Sequence, residues 1–188
     1  MWKCGNVEMR KFKIMEKLND LTQKYPKGTI IIHWITALLI LILFPLGKYV
    51  EELEGNAKIL PLRIHAVLGL LILILTIIRV YFYYRKPYPE HVKTGNYIND
   101  KIVIWVNRIF YFLLFAISIS GILVMAVIGY GDAVLAGDIS LVKPHDNSLL
   151  IKAHGTMATL LMILFGLHVL GVIKHKILKN ENLLKRMI

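Results

Sequence analysis

Cysteine is almost absent from this chain, with Cys4 alone among 188 residues. A disulfide framework, a thiolate iron–sulfur cluster and a covalent c-type haem motif each need more than one cysteine, so all three are excluded. Charged residues are also scarce, at 19% of the chain, whereas hydrophobic residues reach 56%. A soluble domain of this composition has no way to hide its apolar surface, and a disordered chain is excluded for the same reason. The composition therefore indicates a membrane protein.

Acidic residues are also few, because 12 Asp and Glu face 23 Lys and Arg and leave a formal net charge of +11. A basic balance of this size raises the question of nucleic acid. The apolar content argues against that partner, since it points to contact with membrane lipid instead. We therefore predict no nucleic-acid binding and explain the positive charge by the membrane topology.

Four stretches lack charged residues altogether; they lie between Lys27 and Lys48, Arg63 and Arg79, Arg108 and Asp132, and Lys152 and Lys174. About twenty apolar residues cross a bilayer core of about 30 Å as a helix. The second stretch reaches that length if it includes Arg79 and continues through Tyr81–Tyr84, and a buried soluble helix is the alternative for it alone. We predict an all-α integral membrane four-helix bundle over 24–188, with helices at about 29–48, 63–84, 103–129 and 150–174.

Basic residues outside these spans gather on one side of the predicted membrane. The N-terminal region, the second connection and the C-terminal tail carry sixteen of them, whereas the first and third connections carry three basic and six acidic residues. The positive-inside rule then places both termini in the cytoplasm. Residues 1–23 are predicted to be a cytoplasmic N-terminal extension. We expect no cleavable signal peptide, because the first 28 residues lack an apolar core.

Four of the seven histidines lie within the predicted spans, where ionisable side chains are costly and usually functional. His33 lies near the cytoplasmic side of the first helix, while His65 and His154 begin the second and fourth helices near the outer side. His168 follows His154 by fourteen residues, so it lies about 21 Å deeper and within about 40° of the same helix face. The spacing predicts two pairs at two depths: His33 with His168, and His65 with His154.

Two imidazoles at one depth suit haem, because haem iron takes two axial ligands on opposite faces of a flat apolar ring. Zinc or non-haem iron would need three or four ligands at one level, and no carboxylate accompanies these histidines. We predict two non-covalently bound haems, although an interhelical hydrogen bond is the alternative for any single histidine. Candidate propionate contacts are Arg63, Arg79 and Lys152, with lipid headgroups the alternative for Arg63 and Lys152. The other three histidines are expected at surface or interfacial positions: His91, His145 and His175.

From Lys24 to the C-terminus the sequence resembles the bacterial dihaem cytochrome b561 family. The matching segments are KYPKGTIIIHW, RIHAVLGLLILILTIIRV, IFYFLLFAISISGILVM and IKAHGTMATLLMILFGLHVLGVIKHKILKNENLLKRM. The closing KHKILKNENLLKRM is the most specific, because generic transmembrane composition does not require it. The chain departs from the family at Ile104 and Asn107, where members often carry histidines.

The resemblance implies a multi-pass protein of the bacterial inner membrane with two b-type haems, which exchanges electrons with quinone and a second, unknown donor or acceptor. One branch of the family oxidises superoxide at the outer face. Other relatives are haem-bearing membrane anchor subunits of dehydrogenases or hydrogenases. We expect a dihaem electron carrier with quinone as substrate, with superoxide oxidation as a specific form of that activity and an anchor subunit as the alternative.

Overall fold

The computed structural model describes residues 24–85, 97–143, 148–178 and 183–188. Within these ranges the chain is helical and contains no strand. Its α-helices, in chain order, are α1 Lys27–Glu52, α2 Ile59–Arg85, α3 Tyr97–Ile128, α4 Tyr130–Ala136 and α5 Leu149–Leu178. Short 3-10 helices lie at Gly55–Lys58, Ile139–Leu141 and Leu183–Arg186. The predicted N-terminal extension, His91 and His145 lie outside the described residues, so the division at residue 24 stays a prediction.

Helices α1, α2, α3 and α5 are each long and apolar enough to cross a membrane. The predicted all-α four-helix membrane architecture is therefore confirmed. The helices run past the charge-free stretches: α1 continues beyond Lys48 to Glu52, and α3 begins at Tyr97. Charges mark the edge of the hydrocarbon region but do not end a helix, because long polar side chains reach into the interface. The short helix α4 follows α3 after Gly129 and was not predicted.

The four long helices run up and down, which defines two ends of the bundle. The termini end holds the first residue of α1 and the last residues of α5, and the loop end holds α4 and the opposite helix ends. Helix α1 packs on α2, α2 on α3 and α3 on α5, whereas α1 touches α5 only slightly and α2 does not pack closely on α5. A buried apolar core lies at mid-depth and consists of Leu39, Ile40, Leu43, Ile72, Leu113, Leu114 and Leu161.

Helix α4 covers the loop end. Its buried contacts with the long helices involve Leu62, Ile128, Tyr130 and Val134. Gly129 turns the chain from α3 into α4 with a φ of 94°, a left-handed conformation that side chains disfavour. Burial raises the pKa of Tyr130. After α4, the Asp138 carboxylate accepts a hydrogen bond of 2.9 Å from the backbone of Ser140, which lowers the pKa of that carboxyl.

The last residues of the chain pack against the start of α1. The backbone N–H of Tyr25 donates to the Arg186 carbonyl at 3.1 Å, and the Trp34 indole donates to the Met187 carbonyl at 2.8 Å. The Arg186 guanidinium also lies 5.6 Å from the centre of the Tyr25 ring. These contacts fix both described ends of the chain at the same end of the bundle.

Candidate functional site

His65 and His154 face each other at the loop end. Their ring centroids lie 6.1 Å apart, and the ring planes are inclined by 74°. His65 belongs to α2 and His154 to α5, two helices that do not pack closely on each other. The pair therefore reaches across the bundle from opposite sides, at a place where backbone packing is loose.

Two glycines make room for these rings. A methyl group at Gly47 would lie 3.0 Å from Cε1 of His65, and one at Gly121 would lie 3.2 Å from Cε1 of His154. Both distances are shorter than ordinary carbon contacts of about 3.5–4.0 Å. Glycine at these two positions lets each imidazole lie directly against the backbone of a neighbouring helix, α1 for His65 and α3 for His154.

A hydroxyl group also holds His154. The Oγ of Ser120, a buried residue of α3, lies 2.9 Å from Nδ1 of His154 and 2.8 Å from the carbonyl oxygen of Ile117. The side chain thus connects the imidazole to the α3 backbone. This contact fixes the ring of His154 more firmly than packing alone.

The charges around the loop-end pair include a carboxylate. Glu51 lies within electrostatic range of His154, and its Oε2 accepts a hydrogen bond from Lys48 Nζ at 2.8 Å. The Arg63 guanidinium donates to the Val134 carbonyl in the last turn of α4, and Lys152 is exposed. Of the two cations predicted near this pair, Arg63 is therefore directed at α4 in this structure.

His33 of α1 and His168 of α5 share the termini end, as predicted from their depths. They lie within electrostatic range of each other and of Arg79. The His168 ring packs edge-on against Phe110, with 5.5 Å between ring centroids, and the Arg79 guanidinium lies 5.4 Å from the centre of the Tyr111 ring. The surroundings of this pair are cationic and aromatic.

Three buried polar atoms near the two pairs have no hydrogen-bond partner within the described part of the chain: Nδ1 of His33, Nδ1 of His65 and Nε of Arg79. Such atoms are rare in folded proteins and point to functional positions. No three metal-binding side chains converge among the residues that the structure describes. The donor groups therefore come in pairs of imidazoles.

Sequence reasoning located the four histidines and Arg79 but missed the residues that support them. Each of these residues comes from another helix than the histidine it lies near, and no spacing along one helix reveals such a neighbour; they are Ser120, Gly47, Gly121 and Glu51. For Gly47 the signal was the absence of a side chain two residues after a proline inside an apolar helix. The side chain of His175 lies outside what the structure describes.

A comparison with protein families identifies the family of this chain. The family model described as prokaryotic cytochrome b561 matches residues 24–188. No curated protein matches the chain. The family match covers all four membrane-length helices, and the members are membrane b-type cytochromes that bind haem and transfer electrons. This chain belongs to the prokaryotic cytochrome b561 family.

Proposed function

We propose that this protein carries electrons across the membrane through two b-type haems and exchanges them with quinone. In this proposal His33 and His168 ligate one haem at the termini end, and His65 and His154 ligate the other at the loop end. The observation that carries the proposal is the facing pair His65 and His154, with ring centroids 6.1 Å apart, in a chain of a haem-binding family.

The separation of this pair fits an iron atom between the rings. A metal–nitrogen bond of about 2 Å on each side, added to the distance from nitrogen to ring centre, gives about 6 Å between centroids. Loose packing supports the same assignment, because the helices that bring each pair together, α1 with α5 and α2 with α5, make few contacts. A flat apolar ring needs such room between helices.

The partnerless polar atoms also fit the group. A ligating histidine usually donates the N–H of its second nitrogen to a carbonyl, a carboxylate or water. Nδ1 of His33 and Nδ1 of His65 are therefore available either to bind the iron or to donate that N–H. Arg79 is half-buried and lies near both termini-end histidines, and its buried Nε has no hydrogen-bond partner among the described residues. We assign it to a haem propionate, and we keep Arg63 and Lys152 as candidate propionate contacts at the loop end.

Bound haem supplies one-electron redox chemistry at its iron. With both imidazoles of a pair holding the iron, the site would be suited to electron transfer rather than to oxygen binding. Leu161 of the buried apolar core lies seven residues from both His154 and His168, so this core lies between the two pairs. That interval is about 21 Å along α5, so the two centres together span most of the membrane.

The distribution of charge supports an orientation with both termini in the cytoplasm and the loop end at the outer face. Quinone, which is itself membrane-soluble, is proposed as the partner of one of the two centres. Superoxide as donor at the loop end rests on the family resemblance alone. Two of the cations there that would attract it are already engaged, since Lys48 pairs with Glu51 and Arg63 bonds to α4.

The test is a haem measurement on purified protein in detergent. We expect two haems per chain, a reduced-minus-oxidised spectrum of a low-spin b-type cytochrome, and reoxidation of the reduced protein by a soluble ubiquinone analogue. A chain without haem would overturn the whole proposal, while two haems without reaction with quinone would overturn the quinone part and favour the anchor-subunit alternative. Replacing the chemical reductant by a superoxide source, with superoxide dismutase as control, tests superoxide as donor.

A further inference from the structure

We propose that Ser120 is a positioning residue for the loop-end haem: it fixes the proton of His154 on Nδ1 and thereby directs the lone pair of Nε2 to the iron. This inference rests on the proposed ligand role of His154. The ligand assignment does not define which nitrogen of His154 binds the iron or how strongly it binds. The role of Ser120 concerns these two points.

The direction of each hydrogen bond follows from the chemistry of the groups. The Ile117 carbonyl can only accept, and it lies 2.8 Å from the Ser120 Oγ, so the single hydroxyl proton of Ser120 is donated to it. The same Oγ then offers a lone pair to Nδ1 of His154 at 2.9 Å, and the Ile117 carbonyl is a second acceptor within hydrogen-bonding range of the His154 ring. Both neighbours accept, so we infer that Nδ1 carries the proton. A neutral imidazole with Nδ1 protonated has its free lone pair on Nε2.

The consequence is electronic as well as geometric. A hydrogen bond from the non-ligating nitrogen makes the imidazole a better electron donor to its metal. A better donor stabilises the oxidised iron, so Ser120 lowers the reduction potential of the loop-end haem. Neither His33 nor His65 has a hydroxyl partner at Nδ1 among the described residues. Of the two proposed loop-end ligands, His154 is thus the one that this chain adjusts through a hydroxyl group.

The test compares Ser120→Ala with Thr159→Val by potentiometric titration of the purified dihaem protein. Thr159 is a matched control, because it lies on α5 within two turns of His154 and its hydroxyl donates to the carbonyl of Gly155 at 2.9 Å, without contact to a histidine ring nitrogen. The loop-end component is identified as the one that is missing from the His154→Ala protein. We expect its midpoint potential to rise in Ser120→Ala and to stay unchanged in Thr159→Val.

Two further variants keep the inference testable if Ser120→Ala does not accumulate. Ser120→Thr retains the hydroxyl group and should restore both the potential and the EPR g values of the oxidised loop-end haem. Ser120→Cys offers a weaker acceptor and should give a smaller rise than alanine. An unchanged loop-end potential in Ser120→Ala or Ser120→Cys, with both haems present, would overturn the role of Ser120 and leave the ligand assignment intact. Absence of haem from the unsubstituted protein would instead overturn the proposed function.

Discussion

The two ends of the bundle hold similar histidine pairs in opposite surroundings. At the loop end, His154 has a carboxylate in electrostatic range and a hydroxyl on its Nδ1, supplied by Glu51 and Ser120. At the termini end, His33 and His168 have the Arg79 guanidinium in range, and His168 packs on an aromatic ring. A carboxylate, itself paired with Lys48, thus lies in range of one pair, and a guanidinium lies in range of the other.

This difference has a redox consequence under the proposed function. Adding an electron to haem iron removes one positive charge, so a nearby guanidinium favours the reduced form and a nearby carboxylate favours the oxidised form. We expect the termini-end haem to have the higher midpoint potential. Electron transfer from the loop-end haem to the termini-end haem would then be favourable.

Removing a histidine from either pair is expected to have the largest effect. His168→Ala or His33→Ala should lose the termini-end haem, and His154→Ala or His65→Ala the loop-end haem, because one imidazole alone holds the iron weakly. Haem per chain, measured from the absorption spectrum, should fall from two to about one in each variant.

The control is His91→Ala, since the sequence predicts His91 to be a surface residue of a connection. It should keep both haems. Loss of both haems from a single-pair variant, with the protein still folded, would show that the two ends are not independent, and retention of both would refute the ligand assignment.

Crowding a histidine ring is the next test, and it acts on the loop end alone. Gly47→Ala would place a methyl group 3.0 Å from Cε1 of His65, and overpacking of this kind costs about 1–3 kcal/mol. We expect weaker retention of the loop-end haem, measured as its loss during competition with apomyoglobin. Gly28→Ala on the same helix is equally crowded, but its neighbour is Phe82 at 2.9 Å, so it should leave the loop-end haem in place. Equal loss in both variants would assign the effect to α1 as a whole.

Sequence reasoning reached the helices and the ligand candidates because both depend on distance along the chain. Twenty apolar residues define a span, and fourteen residues between His154 and His168 define a rise and a helix face. Arg79 was found for the same reason, as an ionisable residue inside an apolar stretch.

The surroundings of the histidines depend on contacts between helices, and those could not be predicted in the same way. Ser120 reaches His154 across 34 positions of sequence, and it is one of two serines that flank Ile119 in ISISG. Which of the two faces the histidine depends on the rotation of α3 in the bundle. Helix α4 was missed because seven residues are too few to show a periodic pattern, and its partner Arg63 was therefore considered only for propionates or lipid.

Neutralising Arg79 tests whether its charge sets the potential of the termini-end haem. Arg79→Gln removes a half-buried positive charge near His33 and His168 and should lower the potential of that haem by about 60 mV, equivalent to about 1.4 kcal/mol for one electron. Redox titration measures the shift. Arg108→Gln is the matched control, since Arg108 is an exposed cation of the same end that lies over the Trp105 ring. Equal shifts in both variants would mean that general surface charge, rather than Arg79, sets the potential.

Neutralising Glu51 is the corresponding change at the loop end and should have the smallest effect. Its side chain is half exposed and paired with Lys48, so water and the ammonium group screen most of its charge. Glu51→Gln should raise the loop-end potential by less than Arg79→Gln lowers the other one, and the shift should shrink further at high salt. Glu52→Gln, at the adjacent exposed position of α1, should leave the potential unchanged. If Glu51→Gln lowered the loop-end potential, the carboxylate could not account for the difference between the two ends, because loss of its negative charge and release of Lys48 would both raise that potential.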